Sequence, residues 1–260
     1  MLFSPLYSGS SGNCTFIEAG NARLLVDAGL TGTRITSALQ ALRVAPETLN
    51  AILITHEHTD HIRAAGVLSR RYNIPIYANA ACFAAMEPMI GGVSPQCTRV
   101  FETGRDFYIG DVNVTPFLIP HDAAEPVGYT FRYQKYSAGV LTDIGHMDEH
   151  LYDAVDRCDI LLLEANHDID MLKAGRYPYP LKQRILSRHG HLSNDDSGLA
   201  LCRLYARGLR SCVLGHLSAE NNNETVAMAT VANTLHAQGI HDLRLAMAHR
   251  DRPCGVFHLE

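Results

Sequence analysis

No CxxC pair occurs in this chain of 260 residues, although it carries seven cysteines. Cys14, Cys82, Cys97, Cys158, Cys202, Cys212 and Cys254 are odd in number and widely scattered. That argues against a disulfide framework and gives no thiolate zinc site, and a reducing, cytoplasmic compartment fits best. No apolar run approaches the roughly 18 residues needed to cross a bilayer, so no membrane is expected as partner. The first thirteen residues lack a basic segment followed by an apolar one, so no signal peptide is read there. Linkers, low-complexity tracts and strong repeats are also missing, and residues 1–260 are expected to form a single domain. Positive charge is not in excess: the formal net charge is −5, which does not announce nucleic-acid binding. What the chain does have is 47% hydrophobic residues, enough to bury a sizeable core.

The apolar residues fall into short runs separated by turns. Strands are predicted at Leu2–Tyr7, Cys14–Glu18, Arg23–Asp27 and Ala51–Ile54, with a helix over Thr33–Leu42. One helix is predicted over Asp60–Arg71, then a strand at Ile76–Ala78 and a helix at Ala80–Ile90. The second half repeats this grammar. Strands are expected at Arg99–Glu102, Phe107–Ile109, Val112–Ile119, Gly128–Tyr133, Gly139–Asp143 and Ile160–Glu164, with a helix over Met147–Arg157. Helical segments then run to Gly208. A strand at Cys212–Gly215, a helix over Glu224–Gln238 and strands near Leu243–Ala246 and Val256–Leu259 complete the chain. Antiparallel runs of strands with helices between them predict an α/β fold, a four-layer αββα sandwich of two sheets packed face to face.

The chemistry concentrates in six residues, His56-Glu57-His58-Thr59-Asp60-His61, directly after the apolar run Ala51–Ile54. Neutral imidazole is the commonest metal ligand, and such a loop can aim alternate donors at one ion and the next pair at a second. Other polar residues also end apolar strands: Asp27, His121 with Asp122, Asp143, Glu164 and His216. If these ends meet at one edge of the sandwich, they supply nitrogen ligands for two ions and a carboxylate to span both. The turn Gly9–Gly12 reads either as a tight turn or as a phosphate nest.

HxHxDH, a later lone His, a strand-end Asp in Thr142-Asp143 and a final strand-end His together resemble the metallo-β-lactamase superfamily of metal hydrolases. The resemblance implies that His56, His58 and His121 hold one ion and that Asp60, His61 and His216 hold the other, with Asp143 bridging. Asp27 would steady the ligand loop. Two divalent ions are implied; zinc suits the imidazole-rich set and manganese the oxygen donors. Four further segments, Gly9–Cys14, Leu162–His167, Gly190–Asn194 and Gly215–Asn222, look like the YycJ/WalJ/VicX group, which is regarded as DNA exonucleases working from 5′ ends. The same segments are similar to the tRNA-processing nuclease RNase Z, and that similarity implies a proton relay through Glu164 and His191. The chain departs from that pattern at Asn166 and Leu192, and it lacks an obvious Gly-Pro-rich arm for tRNA. Asp60 would orient the water while also serving as a ligand.

The charge is uneven along the chain. Lys173, Arg176, Lys182, Arg184, Arg188, Arg203, Arg207 and Arg210 are opposed locally by Asp195 and Asp196 alone. With Tyr177 and Tyr179 interleaved, Lys182, Arg184 and Arg188 are candidates for phosphate contact and base stacking; a solvated helix face is the ordinary alternative. The leading expectation is a metal-dependent phosphodiesterase acting on nucleic acid, DNA favoured. The competing readings are a small-molecule hydrolase of a cyclic phosphodiester or thioester, an RNA-processing nuclease, and a metal-stabilised binding protein. The sequence leaves oligomeric state open.

Overall fold

The computed structural model describes residues 1–259. The first half of the chain carries strands β1 (Leu2–Tyr7), β2 (Cys14–Ala19), β3 (Ala22–Val26), β4 (Ala51–Leu53), β5 (Ile76–Asn79) and β6 (Thr98–Phe101). Its helices are α1 (Gly32–Ala41), α2 (Thr59–Ile62), α3 (Ala65–Tyr72) and α4 (Ala80–Ile90). The second half carries β7 (Phe107–Ile109), β8 (Val112–Leu118), β9 (Val127–Tyr133), β10 (Tyr136–Leu141), β11 (Ile160–Glu164), β12 (Ser211–Gly215), β13 (Arg244–Met247) and β14 (Phe257–His258). Its helices are α5 (Glu149–Ala154), α6 (Ile169–Ala174), α7 (Tyr179–Ile185), α8 (Asn194–Ala206) and α9 (Glu224–Ala237).

The strands form two seven-stranded sheets, ordered β14-β1-β2-β3-β4-β5-β6 and β13-β12-β11-β10-β9-β8-β7. Alternate side chains of a strand face opposite sides of its sheet, and β3 shows the consequence. Leu24 and Val26 join the apolar layer between the sheets, while Leu25 packs with Ile35, Leu39 and Leu68 of the outer helices. On the far side, Leu161, Leu163 and Leu214 pack against Leu151, Leu201 and Val231. Three apolar layers thus separate four layers of structure, αββα. Each fully buried Leu, Ile or Phe contributes about 1.5–3 kcal/mol by leaving water, so this scaffold has a large source of stability independent of any metal.

Three expectations need correction. The strands are not simply antiparallel: each sheet changes from antiparallel to parallel partway across, at β3 in one and β10 in the other. Helical crossovers between β4, β5 and β6, and between β10, β11, β12 and β13, permit the parallel halves. The single helix predicted over Asp60–Arg71 is two, because the Ala64 amide leaves the helical ladder to donate to Ala28 O at 2.8 Å. The helix predicted over Met147–Arg157 is confined to α5, since Asp148 caps it by accepting from Leu151 N and Arg157 has a left-handed φ of 56°.

The parallel pairing of β3 with β4 sends both carboxyl ends to one edge of the first sheet. In the second sheet β8, β10, β11 and β12 all run in one direction, since β9 is antiparallel to both β8 and β10. Bonds across that edge join the sheets: Val127 N donates to Thr55 O at 2.9 Å, the buried Tyr129 hydroxyl donates to Ile54 O at 2.6 Å, and His216 N donates to Ser8 Oγ at 2.9 Å.

Candidate metal centre

Six strand ends converge on this edge. His56, His58 and His121 bring ligand atoms within 4.8 Å of one another, as do Asp60, His61 and His216. Asp143 lies between the two groups. Its Oδ2 is 3.3 Å from His61 Nε2, and its Oδ1 is 3.3 Å from His216 Nε2 and 3.9 Å from His121 Nε2. His56, His61, His121, Asp143 and His216 are buried, whereas the Asp60 side chain keeps 26% of its surface.

The backbone makes an unusual concession here. Asp27, Asp143 and His216 have φ values of 63°, 58° and 55°. Each follows a strand, and the left-handed turn swings its side chain onto the sheet edge. For a residue other than Gly such a conformation costs of order 1–3 kcal/mol and persists where the surroundings impose it, most often at functional sites.

Hydrogen-bond acceptors behind the ligands fix which nitrogen of each ring faces the cluster. Asp27 Oδ2 accepts from His61 Nδ1 at 2.8 Å, and Asp27 Oδ1 accepts from Thr55 N at 2.9 Å. Thr55 Oγ1 lies 3.0 Å from Asp27 Oδ2 and 3.0 Å from His56 Nδ1. With Thr55 donating to Asp27 and accepting from His56, both histidines keep an Nε2 lone pair for a cation. Glu164 does the same for His216, accepting from its Nδ1 at 2.7 Å. On the opposite flank, Asn13 Oδ1 accepts from Gly9 N at 3.0 Å, which turns its amide NH2 toward His61 Nε2 at 3.1 Å and Asp60 Oδ2 at 3.5 Å. The Asp60 carbonyl passes so close to Gly29 that a Cβ there would sit 1.5 Å from it, so no larger residue fits at this position.

The two groups differ electrostatically. Burial and then the neighbouring imidazoles hold His56 well below the usual histidine range, and burial also lowers His121. Those rings are neutral and ready to ligate. Burial opposes protonation of His216 as well, but Asp143, Asp60 and Glu164 outweigh it and push the ring up to about 10. Burial likewise works against a charged His61, which Asp27, Asp143 and Asp60 nevertheless raise. This half of the site carries the negative charge that a cation would neutralise.

The donor set fits a pair of divalent metal ions. His216 Nε2, Asp143 Oδ2 and His121 Nδ1 are buried without a hydrogen-bond partner among the described residues, and buried polar atoms are rarely left so. Imidazole nitrogens and carboxylate oxygens, with His56, His61 and His216 each backed by a second hydrogen bond, are the ligand chemistry of zinc and manganese.

Beside this cluster Glu164 Oε1 also accepts from His191 Nδ1 at 2.8 Å, while Glu164 Oε2 accepts from Ile144 N at 2.9 Å. Burial lowers the tendency of His191 to protonate, yet the Glu164 carboxylate outweighs it and raises the ring above its ordinary value. His191 is partly exposed and lines a cleft of about 160 Å³ with Tyr177, Leu181, Arg184 and Ile185. Arg184 Nε donates to Asp122 Oδ2, whose partner oxygen lies 3.4 Å from His121 Nε2.

The three basic candidates separate. Arg184 lines this cleft; Lys182 Nζ is tied to Lys173 O at 2.7 Å, and Arg188 Nη2 contacts His146 Nε2 at 2.6 Å. Farther along the run, Arg203 and Arg207 pair with Glu149 and Asp153 in the outer helix layer, as the solvated-face reading expects. The sequence reading omitted Thr55 and Asn13. Thr55 carries no spacing signal, and Asn13 directly follows the turn Gly9–Gly12, where an Asn is ordinary turn chemistry. His167, also outside the candidate set, is buried with both ring nitrogens unpartnered among the described residues and is held down at about 4 by burial.

The family description "beta-lactamase superfamily domain" matches residues 22–216. Exodeoxyribonuclease WalJ of Streptococcus pneumoniae is 44% identical over 235 residues, covering 90% of this chain and 87% of the relative. Exodeoxyribonuclease YycJ of Bacillus anthracis is 37% identical over 237 residues, covering 91% and 90%. Among solved structures, the metallo-beta-lactamase fold protein YhfI of Bacillus subtilis superposes with a TM-score of 0.74 at 17% identity, over 98% of both chains. The four layers, the converging strand ends and these likenesses agree: the chain belongs to the beta-lactamase superfamily and, within it, to the family of the WalJ and YycJ proteins.

Proposed function

We propose that this chain is a metal-dependent exonuclease that hydrolyses DNA phosphodiester bonds from 5′ ends. The observation that carries the reading is the placement of the Glu164–His191 pair, 2.8 Å apart, against two ligand groups that share Asp143. Its support from relatives is that WalJ and YycJ are named exodeoxyribonucleases, which speaks against the RNA-processing and small-molecule alternatives. His56, His58 and His121 would hold one divalent ion and Asp60, His61 and His216 the other, with Asp143 between them and zinc preferred to manganese on donor type. A metal pair of this kind neutralises phosphoryl charge and lowers the pKa of water.

The chain's own groups divide the remaining work. Asp60, the most exposed carboxylate of the cluster, accepts a hydrogen bond from the attacking water and orients it. As the water oxygen bonds to phosphorus it gives up a proton by way of Asp60 to solvent, while the bond to the leaving oxygen breaks and its electron pair stays on that oxygen. His191, anchored through Nδ1, has Nε2 free to give that oxygen a proton, and Glu164 stabilises the charged ring beforehand. Such a general acid contributes about 10²–10⁴-fold. Arg184 supplies positive charge where the strand enters. A cytoplasmic location fits the unpaired thiols. Residues 1–260 are read as one domain because the layer between the sheets draws on both halves.

End-labelled single- and double-stranded DNA and RNA, incubated with metal-loaded protein, test this reading. Metal-dependent release of mononucleotides from 5′ DNA ends is expected. Internal cuts, or cleavage of RNA alone, would contradict it.

A further inference from the structure

The cleft beside His191 has a use that the ligand groups do not supply. It is bounded on one side by α7 and the preceding Tyr177, and on the other by the Gly190–His191 turn, Ser218 and Ser10. At about 160 Å³ it is smaller than the roughly 300 Å³ at which sites for drug-sized ligands begin. It therefore has room for one base rather than several. Its wall is mixed: Tyr177, Leu181 and Ile185 are apolar, while Asn166, Ser218 and the Arg184–Asp122 pair contribute polar groups. Tyr177 and Leu181 are half-buried, so their faces remain partly open to an occupant.

Direction follows from the proton donor. Glu164 holds His191 Nδ1 at 2.8 Å, so Nε2, across the ring, is the atom that can reach a leaving oxygen. The group attached to that oxygen must lie on the His191 side of the scissile phosphorus, and the cleft is on that side. We infer that the cleft seats the terminal nucleotide, the one that carries the leaving oxygen, with its base against Tyr177 and Leu181. This rests on the nuclease reading and deepens it. A seat for one nucleotide beside the proton donor explains release of one unit per cut. When the 3′ oxygen of the seated nucleotide leaves, the seated nucleotide is the 5′-terminal one, which gives the proposed polarity. Arg184, paired with Asp122 at the rim, is placed to meet phosphate charge arriving with the strand.

The test compares an intact 5′-terminal nucleotide with an abasic one, in end-labelled duplex DNA, for metal-loaded wild type and Tyr177→Ala. One stacked base corresponds to a factor of about ten in kcat/KM. Wild type should lose about tenfold on the abasic end, and Tyr177→Ala should show the loss on the intact end but little further loss on the abasic one. Leu181→Trp, which fills the cleft, should lower kcat/KM on DNA at least about tenfold more than on bis(p-nitrophenyl) phosphate, which has no nucleoside to seat. Circular dichroism confirms folding of each variant, and if Leu181→Trp does not fold the Tyr177 comparison decides. Additive losses from the abasic end and Tyr177→Ala, with DNA still cleaved, overturn the nucleotide seat and leave the nuclease reading intact. No cleavage of any DNA by wild type overturns the reading itself.

Discussion

Glu164 grips His216 through a 2.7 Å bond from the ring Nδ1 to Oε1, and that same oxygen holds His191 at 2.8 Å. One buried carboxylate therefore orients a candidate metal ligand and the candidate proton donor together. Glu164→Gln should damage both. Loss of an outer partner of a ligating histidine typically costs 10–100-fold in metal affinity, so metal titration of the variant should show about that weakening at one ion. Cleavage at saturating metal should remain depressed, because the amide no longer favours a protonated His191. Full recovery of kcat by added metal would restrict Glu164 to the His216 role.

His191→Ala separates acid catalysis from metal binding. Metal content should be unchanged. Hydrolysis of DNA, whose leaving alkoxide needs a proton, should fall by about 10²–10⁴-fold. Hydrolysis of bis(p-nitrophenyl) phosphate should fall much less, since p-nitrophenolate leaves readily unprotonated. Parallel steady-state kinetics on both substrates check this, and equal losses would remove His191 from the general-acid role.

Much of this site could be read in the chain before folding. HxHxDH is contiguous, and each remaining ligand candidate stands directly after an apolar run, so residue type and position agreed. Asp143 and His216 are cases in point: both lie at strand ends, where the sequence reading put them. Their left-handed backbone was not legible, because nothing in Thr142-Asp143 or Gly215-His216 distinguishes it from an ordinary turn. Thr55 was invisible for another reason. Its importance comes from touching Asp27, His56 and His61 at once, which is a product of tertiary packing. The fold's layers were readable from alternation, but the parallel halves of the sheets were not, since strand direction is set by crossovers rather than by strand composition. The basic run between Lys173 and Arg210 looked continuous and is divided, because the acids that pair with Arg203 and Arg207 come from α5, some fifty residues earlier.

Tyr129→Phe tests how the sheets are pinned behind the ligand loop. The substitution keeps the buried ring and removes the donor to Ile54 O. An acceptor left unsatisfied in the core costs about 1–3 kcal/mol. Urea denaturation should register that loss, with a shift of the midpoint at constant m-value. An unchanged midpoint would mean that the bond contributes nothing to holding the loop.

Chelation should abolish cleavage while leaving the far-ultraviolet circular dichroism of the protein intact, because three apolar layers hold the fold. The melting temperature should drop, since ions bound only by the folded state stabilise it. Loss of secondary structure on chelation would instead make the metal part of the scaffold.

The two-ion site is tested most directly by an anomalous difference map of metal-loaded crystals, collected at the absorption edge of the bound metal for wild type and Asp143→Ala. Wild type should give two peaks, one among His56, His58 and His121 and one among Asp60, His61 and His216. The variant should lose occupancy at both while keeping its fold, and should no longer degrade DNA. A single peak in wild type, peaks remote from these residues, or an Asp143→Ala protein with full metal and full cleavage would contradict a centre of two ions joined by Asp143.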